Sequence, residues 1–266
     1  ITWMQKGILV NQKYNKLIKN APVNIDRYKF VIDKTRGKTV LDLGCIAHSL
    51  KVTETGPWLH KEIKKVAKTV VGVDVLEAEV KMLREKGYNI VCQNVESLGL
   101  QQKFDVIVCG DIIEHLFNVG GFLGSLYKHL DDNGIVIITT CNPFYVDQFL
   151  FCLLKGFPLV NPSHVCWYDP YTLFSCAERF GFNISGFYWL KDEFSLAHLA
   201  TLSSAHQYDV FNQQWVKNTF YQKVYRKMVT TLFRVLYNPI KAIMKIQKVL
   251  HSSFLIVLTK EHIKST

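Results

Sequence analysis

Several features that would point to other protein classes are missing from this sequence. It contains no C-x-x-C pair and no uninterrupted apolar run of the roughly 18 residues that a membrane-spanning helix needs. Its seven cysteines occur singly, several within apolar runs such as Val106–Cys109, so we interpret them as reduced, buried small hydrophobic residues rather than disulfides or zinc ligands. The opening residues carry lysines and lack the apolar core of a signal peptide. We therefore expect a cytoplasmic protein.

Acidic residues are absent between Asp209 and Glu261. Residues 191–266 carry eleven Lys and Arg against four Asp and Glu, so most of the net charge of +10 lies there. Aromatic and basic residues alternate over 217–248, which predicts either two packed helices with a solvated basic face or a peripheral contact with the inner membrane surface. Nucleic acid is a weaker third partner, since no nucleic-acid motif accompanies the charge.

Short apolar runs rich in valine and isoleucine alternate with amphipathic stretches from residue 38 to residue 141, a pattern typical of a parallel sheet covered by helices. The predicted strands are Lys38–Gly44, Thr69–Asp74, Asn89–Gln93, Phe104–Gly110, Ile135–Cys141, Ile184–Leu190 and Phe254–Thr259. The predicted helices are Pro57–Ala67, Glu77–Lys86 and Pro170–Phe180, with Gly87 and Gly181 as stops. We interpret Asp131–Gly134 as a turn before the fifth strand.

Two of these strands end in a recognisable pair of motifs. The first runs Val40-Leu41-Asp42-Leu43-Gly44-Cys45, and the second ends Val71-Gly72-Val73-Asp74. In a Rossmann-like sheet, a glycine after the first strand lets the backbone approach a ligand, and an acidic residue closing the second accepts hydrogen bonds from ribose hydroxyls. The pair resembles motifs I and II of class I S-adenosylmethionine-dependent methyltransferases.

The resemblance covers roughly residues 36–190 and continues through Gln93–Glu96, Phe104–Asp111, Ile112–Leu116 and Leu130–Gly134. It implies S-adenosylmethionine as the cofactor. The residues expected to bind it are Asp42, Gly44, Cys45, Ile46, Asp74, Val75, Asn94, Val95, Glu96, Gly110 and Asp111.

The first motif departs from the family pattern D-x-G-x-G-x-G, because Ile46 and His48 occupy its later glycine positions. Two interpretations remain: a loop that has adapted to side chains, or a catalytically silent binding module that has lost the cofactor. A nicotinamide dehydrogenase fits less well, since G-x-G-x-x-G is absent.

A second signature, His164-Val165-Cys166-Trp167-Tyr168-Asp169-Pro170 followed by Leu173 and Arg179–Phe182, resembles an element of ubiquinone-type and sugar or surface-polysaccharide O-methyltransferases. Trp58–His60 and Asn161–His164 resemble the polysaccharide-associated members more closely. The resemblance implies O-methylation of a sugar, a nucleotide-sugar or a surface glycan. The alternative acceptor is a quinone or another lipid at a membrane surface.

The candidate catalytic residues are Asp111, Glu114 and His164. We predict that a helix begins with Asp111, Glu114 and His115 at the carboxyl edge of the sheet, where Asp111 is equally well explained as the helix cap and His115 as a structural residue. His164 lies in a loop that would cover the acceptor, and imidazole suits removal of a hydroxyl proton near neutral pH. A catalytic metal held by Asp111, Glu114 and His164 stays an open alternative, but none is predicted, because no diagnostic ligand spacing is present.

Together these patterns predict an α/β fold: a Rossmann-like, doubly wound, mostly parallel seven-stranded sheet with an antiparallel final strand. The expected organisation is an N-terminal helical segment (1–35), a cofactor-binding core (36–190), a basic and mostly helical insertion (191–252), and the final strand with a tail (253–266).

Overall fold

The computed structural model describes residues 14–46, 57–146, 160–191, 206–209, 214–217 and 248–261, together with 148, 152 and 158. The chain divides into two compact units. The first contains Ile1–Pro143, Val160–Lys191 and Ser253–Thr266, and the second contains Phe144–Leu159 and Asp192–Ser252.

The first unit is built on a seven-stranded sheet with the order β3-β2-β1-β4-β5-β9-β6. Strands β1 to β5 are parallel, whereas β9 runs antiparallel to both β5 and β6. This confirms the predicted mostly parallel sheet with an antiparallel final strand. Within the described residues, the strands are β1 Thr39–Leu43, β2 Thr69–Asp74, β3 Ile90–Cys92, β4 Phe104–Gly110, β5 Leu130–Cys141, β6 Phe182–Trp189, β7 His206–Asp209, β8 Gln214–Lys217 and β9 Ser253–Lys260.

Helices cover the sheet, and three of those described begin at polar caps, whereas the helices that begin at Leu59 and Glu77 have no side-chain cap. Asp26, Asn118 and Asp169 each accept a backbone N–H of the first turn, which satisfies donors that have no partner inside a helix. The predicted stops Gly87 and Gly181 follow their helices with φ of +81° and +78°. The helices are α1 Arg27–Thr35, α2 Leu59–Val66, α3 Glu77–Glu85, α4 Val119–His129 and α5 Pro170–Arg179, and residues 14–20 are also helical. Three 3₁₀ turns cover Val95–Ser97, Ile113–His115 and Lys248–Leu250.

The strands form because their apolar residues are buried on both faces, as expected for parallel strands covered by helices. One buried cluster joins β1, β4, β5 and β9 through side chains that include Val40, Val108, Ile137 and Leu255. Each side chain of this size contributes about 1.5–3 kcal/mol when it is fully buried. This core fixes the positions of the strand ends, and therefore the points at which the following loops begin.

The interpretation of Asp131–Gly134 as a turn is wrong. Strand β5 starts at Leu130, directly after α4, and its register with β4 moves from Phe104↔Leu130 to Val106↔Ile135. Four residues of β5 therefore lie opposite the single residue Asp105, so the turn-forming sequence is accommodated as an irregularity within the strand.

The prediction that a helix begins with Asp111, Glu114 and His115 is also wrong. After β4 the chain forms a 3₁₀ turn over Ile113–His115, and α4 begins only at Val119 with Asn118 as its cap. Asp111 is therefore not a helix cap.

The described part of the predicted helical insertion contains strands, because β7 and β8 pair antiparallel as a hairpin. The remaining residues of the basic 217–248 stretch, between its ends, lie outside the described residues, so their helical character and membrane contact stay predictions. Among the described residues, no helix is both long and apolar enough to span a bilayer.

All seven cysteines are free, as expected. The expectation that they are buried is correct only for Cys45 and Cys109, since Cys92 is exposed and the other four are partly buried.

Candidate active site at the carboxyl edge of the sheet

The carboxyl edge of the sheet contains the point at which the strand order reverses. Strand β1 lies between β2 and β4, so the loops after β1 and β4 leave the sheet next to each other and continue in opposite directions. Open α/β sheets bind ligands at such a point. The expected cofactor residues follow β1 to β4, and Glu114 and His164 follow β4 and β5.

The turn after β1 depends on Gly44. Its φ is +67°, a left-handed conformation that side-chain-bearing residues avoid, and an added Cβ would lie 2.8 Å from Cδ1 of Ile112. The Gly44 amide donates to the carbonyl of Val73 at 2.8 Å, which ties the turn to β2. The predicted need for glycine at this position is therefore explained by both conformation and space.

Ile46 points into the protein, although the family pattern has glycine at its position. Its side chain is buried in a cluster that includes Cys45, Trp58 and Ile90. Its amide donates to Oδ2 of Asp74 at 2.9 Å. The side chain at position 46 is therefore accommodated by the core, while His48, at the next glycine position of the pattern, lies outside the described residues.

Asp74 ends β2, and its carboxylate organises the surrounding loops. Oδ2 accepts from the Ile46 amide, while Oδ1 accepts from the amides of Val75 at 2.8 Å and Leu76 at 3.2 Å. Burial raises the pKa of Asp74, and these backbone hydrogen bonds oppose that rise. An ionised carboxylate has further lone pairs, so it remains able to accept ribose hydroxyls.

The segment after β3 forms a compact polar turn beside Asp74. Asn94 caps the 3₁₀ turn by accepting from the Glu96 amide at 2.9 Å. Oε1 of Glu96 accepts from the Asn118 amide at 2.8 Å, which joins this turn to the start of α4. After β2, Val75 is 62% exposed, an apolar surface suited to contact with a flat base.

Asp42 differs from the other expected cofactor residues. It is buried within β1, and its Oδ2 lies 2.9 Å from Nδ1 of the fully buried His60. Its carboxylate is thus paired inside the protein, and its role toward the cofactor stays a prediction.

Asp111 is held in an uncommon conformation after β4. Its φ is +49°, its Oδ1 accepts from the hydroxyl of Thr139 at 2.9 Å, and its Oδ2 forms an ion pair with Arg27 from the first turn of α1. The strained backbone and the two side-chain partners together fix the carboxylate at the edge of β4.

Glu114 lies in the 3₁₀ turn that follows Asp111 and is almost completely buried. Burial, and secondarily the charge of Asp111, raises its pKa to about 7, while hydrogen bonds from the Thr140 hydroxyl and from backbone amides oppose the rise. The Thr140 hydroxyl donates to Oε2 at 3.0 Å. A carboxyl group that titrates near neutral pH is suited to proton transfer.

His164 lies against His115 and Glu114, as the prediction of a shared site requires. The two imidazole rings meet edge to face with centroids 4.7 Å apart, and one ligand atom from each of the three residues lies within 4.8 Å of the others. Nδ1 of His164 is 4.0 Å from Sγ of Cys141 at the end of β5. This spacing is compatible with proton transfer and would also accommodate a divalent cation.

Backbone contacts place the His164 segment. The amide of Val165 donates to the carbonyl of Glu114 at 2.9 Å, and Nδ1 of His115 lies 3.0 Å from the carbonyl oxygen of Ser163. Residues 163–165 are thereby held by hydrogen bonds against the turn that follows β4. His115, interpreted from sequence as a structural residue, is part of the cluster.

The sequence interpretation missed Arg27, Thr139 and Thr140. Arg27 is separated from Asp111 by 84 residues, and no local pattern marks their contact. The two threonines lie inside a correctly predicted strand, where a β-branched side chain indicates only a preference for strand structure.

Comparisons with known proteins identify the family of this chain. The methyltransferase domain family matches residues 18–185. This chain belongs to that family. The resemblance to S-adenosylmethionine-dependent methyltransferases is confirmed, and with it the cofactor that the family uses.

The individual relatives are distant. A ubiquinone biosynthesis O-methyltransferase of Bradyrhizobium sp. (strain ORS 278) is 29% identical over 112 residues, which are 40% of this chain and 41% of that protein. An (S)-coclaurine N-methyltransferase of Papaver somniferum is 22% identical over 183 residues, or 68% of this chain and 49% of that protein. The chain thus spans about half or less of the length of these relatives.

A solved structure shows the same fold over almost the whole chain. It is an S-adenosylmethionine-dependent methyltransferase from Archaeoglobus fulgidus, with a TM-score of 0.54 and 20% identity, and the match covers 95% of this chain and 99% of that one. At this identity the likeness concerns the fold alone.

Proposed function

We propose that the chain is an S-adenosylmethionine-dependent O-methyltransferase whose acceptor is a hydroxyl group on a molecule with an apolar body, of the quinol or lipid class. The observation that carries the proposal is the cluster of Glu114, His115 and His164 next to the cofactor edge of the sheet, where the ligand atoms of the three lie within 4.8 Å of one another. Each of these side chains exchanges protons, which O-methylation requires.

The cofactor side of the site is formed by the loops after β1, β2 and β3. In this proposal Asp74 binds the ribose, Asn94–Glu96 faces the adenine edge, and the turn at Gly44 lies along the remainder of the ligand. The burial of the Ile46 side chain in the core supports the fit, because this side chain then does not occupy the ligand side of the turn.

When bound, S-adenosylmethionine would supply a methyl group on a positively charged sulfur, and this sulfur would keep the electron pair of the broken carbon–sulfur bond and leave as a neutral thioether. The acceptor hydroxyl loses its proton as its oxygen takes the methyl group, and in this proposal His164 accepts that proton. Glu114 stabilises the resulting imidazolium through its nearby carboxylate. Asp111, held by Thr139 and Arg27, orients the acceptor at the end of β4.

The apolar acceptor body is supported by the surroundings of this cluster and by the relatives' names. Phe117 is 86% exposed, Val165 43% and Trp167 39%, and all three follow directly from the segments that hold Glu114 and His164. Curated relatives are named for ubiquinone biosynthesis. An exposed Trp167 also suits stacking against a sugar ring, so the sugar or glycan acceptor is the second candidate.

An acceptor panel tests the proposal. Transfer of isotopically labelled methyl from S-adenosylmethionine is measured with a catechol-type quinol bearing a short isoprenoid tail, the same head group without the tail, a nucleotide-sugar and a methyl glycoside. We expect transfer to the quinols and a higher kcat/KM for the tailed compound. Transfer only to the sugars would replace the quinol by the second candidate, and equal kcat/KM for both quinols would contradict the apolar body.

A further inference from the structure

The cofactor turn is held from its inner side by the beginning of α2. Trp58 precedes the first residue of this helix, is almost fully buried, and donates its indole N–H to the carbonyl oxygen of Cys45 at 2.6 Å. Two residues later, His60 reaches Asp42 across 2.9 Å. The two aromatic residues therefore contact the chain on both sides of Gly44.

The space around this contact is filled. The Trp58 ring packs against Tyr88 with centroids 4.8 Å apart and against His60 at 5.3 Å. A Cβ added at Gly72 of the neighbouring strand would lie 2.7 Å from Sγ of Cys45. The indole is consequently held in one place, and its N–H is fixed toward the turn.

The hydrogen bond from Trp58 gives a donor to the backbone carbonyl of Cys45. Cys45 is buried, and a buried carbonyl without a donor loses about as much free energy as a broken hydrogen bond. The same bond links Cys45 to a residue 13 positions later in the sequence. A turn that lacks the later glycines of the family pattern thus obtains its rigidity from a side chain.

We propose that Trp58 is a positioning residue for S-adenosylmethionine binding, acting by fixing the Cys45 carbonyl so that residues 44–46 keep the conformation that contacts the cofactor. The inference rests on the proposed cofactor site. It assigns a function to Trp58, for which the sequence shows only that the Trp58–His60 stretch resembles the polysaccharide-associated methyltransferases.

The substitution Trp58→Phe tests this role, because phenylalanine keeps a ring against Tyr88 and removes the donor. Trp189→Phe is the matched control: Trp189 is fully buried in β6, packs against Phe187, and lies in a strand separated from β1 by β4, β5 and β9. We expect Trp58→Phe to raise the Kd and the KM for S-adenosylmethionine about five- to twentyfold, the range for one lost hydrogen bond with its carbonyl left unpaired.

Turnover at saturating cofactor and the KM for the acceptor should stay near the wild-type values in Trp58→Phe. Trp189→Phe should lower the melting temperature and leave cofactor affinity unchanged. A purely structural Trp58 would instead behave like this control, with a lower melting temperature and an unchanged Kd, and that result overturns the proposal.

Asp74→Ala, titrated in parallel, separates this inference from the cofactor site itself. Weaker binding in Asp74→Ala together with unchanged binding in Trp58→Phe rejects the role of Trp58 alone. Unchanged binding in both variants rejects the cofactor site and the inference with it.

Discussion

Three aspartates that look alike in the sequence have different roles because the groups around their carboxylates differ. Asp42 pairs with a buried histidine, Asp74 receives three backbone amides, and Asp111 lies against an arginine. Only the types and the spacing of these residues are visible in the sequence, whereas the partners come from segments up to 84 residues away. Residue roles are therefore decided by tertiary contacts.

Asp74→Ala should weaken S-adenosylmethionine binding by about 1.5–3 kcal/mol, because a hydrogen bond to a charged acceptor is difficult to replace. Isothermal titration measures this loss. Asp105→Ala is the control: Asp105 accepts the Thr39 amide and hydroxyl, both at 2.8 Å, at the opposite end of the sheet. It should lower stability and leave the Kd unchanged. Equal Kd values for wild type and Asp74→Ala would remove Asp74 from the site.

Glu114 should make the stability of the protein depend on pH. Its pKa is raised from the ordinary value of 4.5 to about 7, so between these values the folded protein keeps a proton that the unfolded chain has released. Its stabilising contribution is therefore complete below about pH 4.5 and is lost as the pH rises through 7.

Glu114→Gln removes this titration and keeps the shape of the side chain. Urea unfolding of both proteins at pH 5, 6, 7 and 8 gives the difference in free energy of unfolding, wild type minus variant. We expect that difference to fall with rising pH, by at most about 1.4 kcal/mol per pH unit. A difference that is constant across the series would show that the Glu114 pKa is not raised.

At the scale of elements, the sequence predicts the bounds of the strands whose apolar residues are buried. Strands β2 and β4 match their predicted bounds because both are apolar runs between charged or polar residues. The errors occur where tertiary contacts outweigh local sequence preference. Asp131–Gly134 is part of β5, as an irregularity, because β4 pairs with the residues on both sides of it. The helix after β4 begins only at Val119, where the side chain of Asn118 caps it. The contact of α1 with Asp111 has no local signal.

The turn after β1 should not need the missing glycine. Ile46→Gly empties part of the cluster around Trp58, so we expect a loss of about 2–5 kcal/mol in the free energy of unfolding and no gain in cofactor affinity. Thermal melting and isothermal titration on this variant check the two parts. Tighter cofactor binding by Ile46→Gly than by the wild type would revive the interpretation as a silent module.

At the scale of the whole molecule, the strand order explains why one sheet edge contains two kinds of residue. Loops after β1, β2 and β3 lie on one side of the reversal point and contain most of the predicted cofactor residues, whereas the loops after β4 and β5 lie on the other and contain Asp111, Glu114 and His164. The sequence predicts this division through its resemblance to methyltransferase motifs, and the division stays a prediction. The acceptor was not predictable, because its chemistry depends on side chains that the fold brings together.

The division into a cofactor side and an acceptor side is tested most directly by His164→Ala. The variant should keep nearly wild-type affinity for S-adenosylmethionine and a similar melting temperature, because His164 follows β5 and the predicted cofactor residues follow β1 to β4. Its turnover with the best acceptor of the panel should fall by roughly 10²–10⁴-fold, the effect of a lost general base. Near-normal turnover, or loss of cofactor binding together with stability, would contradict the assignment.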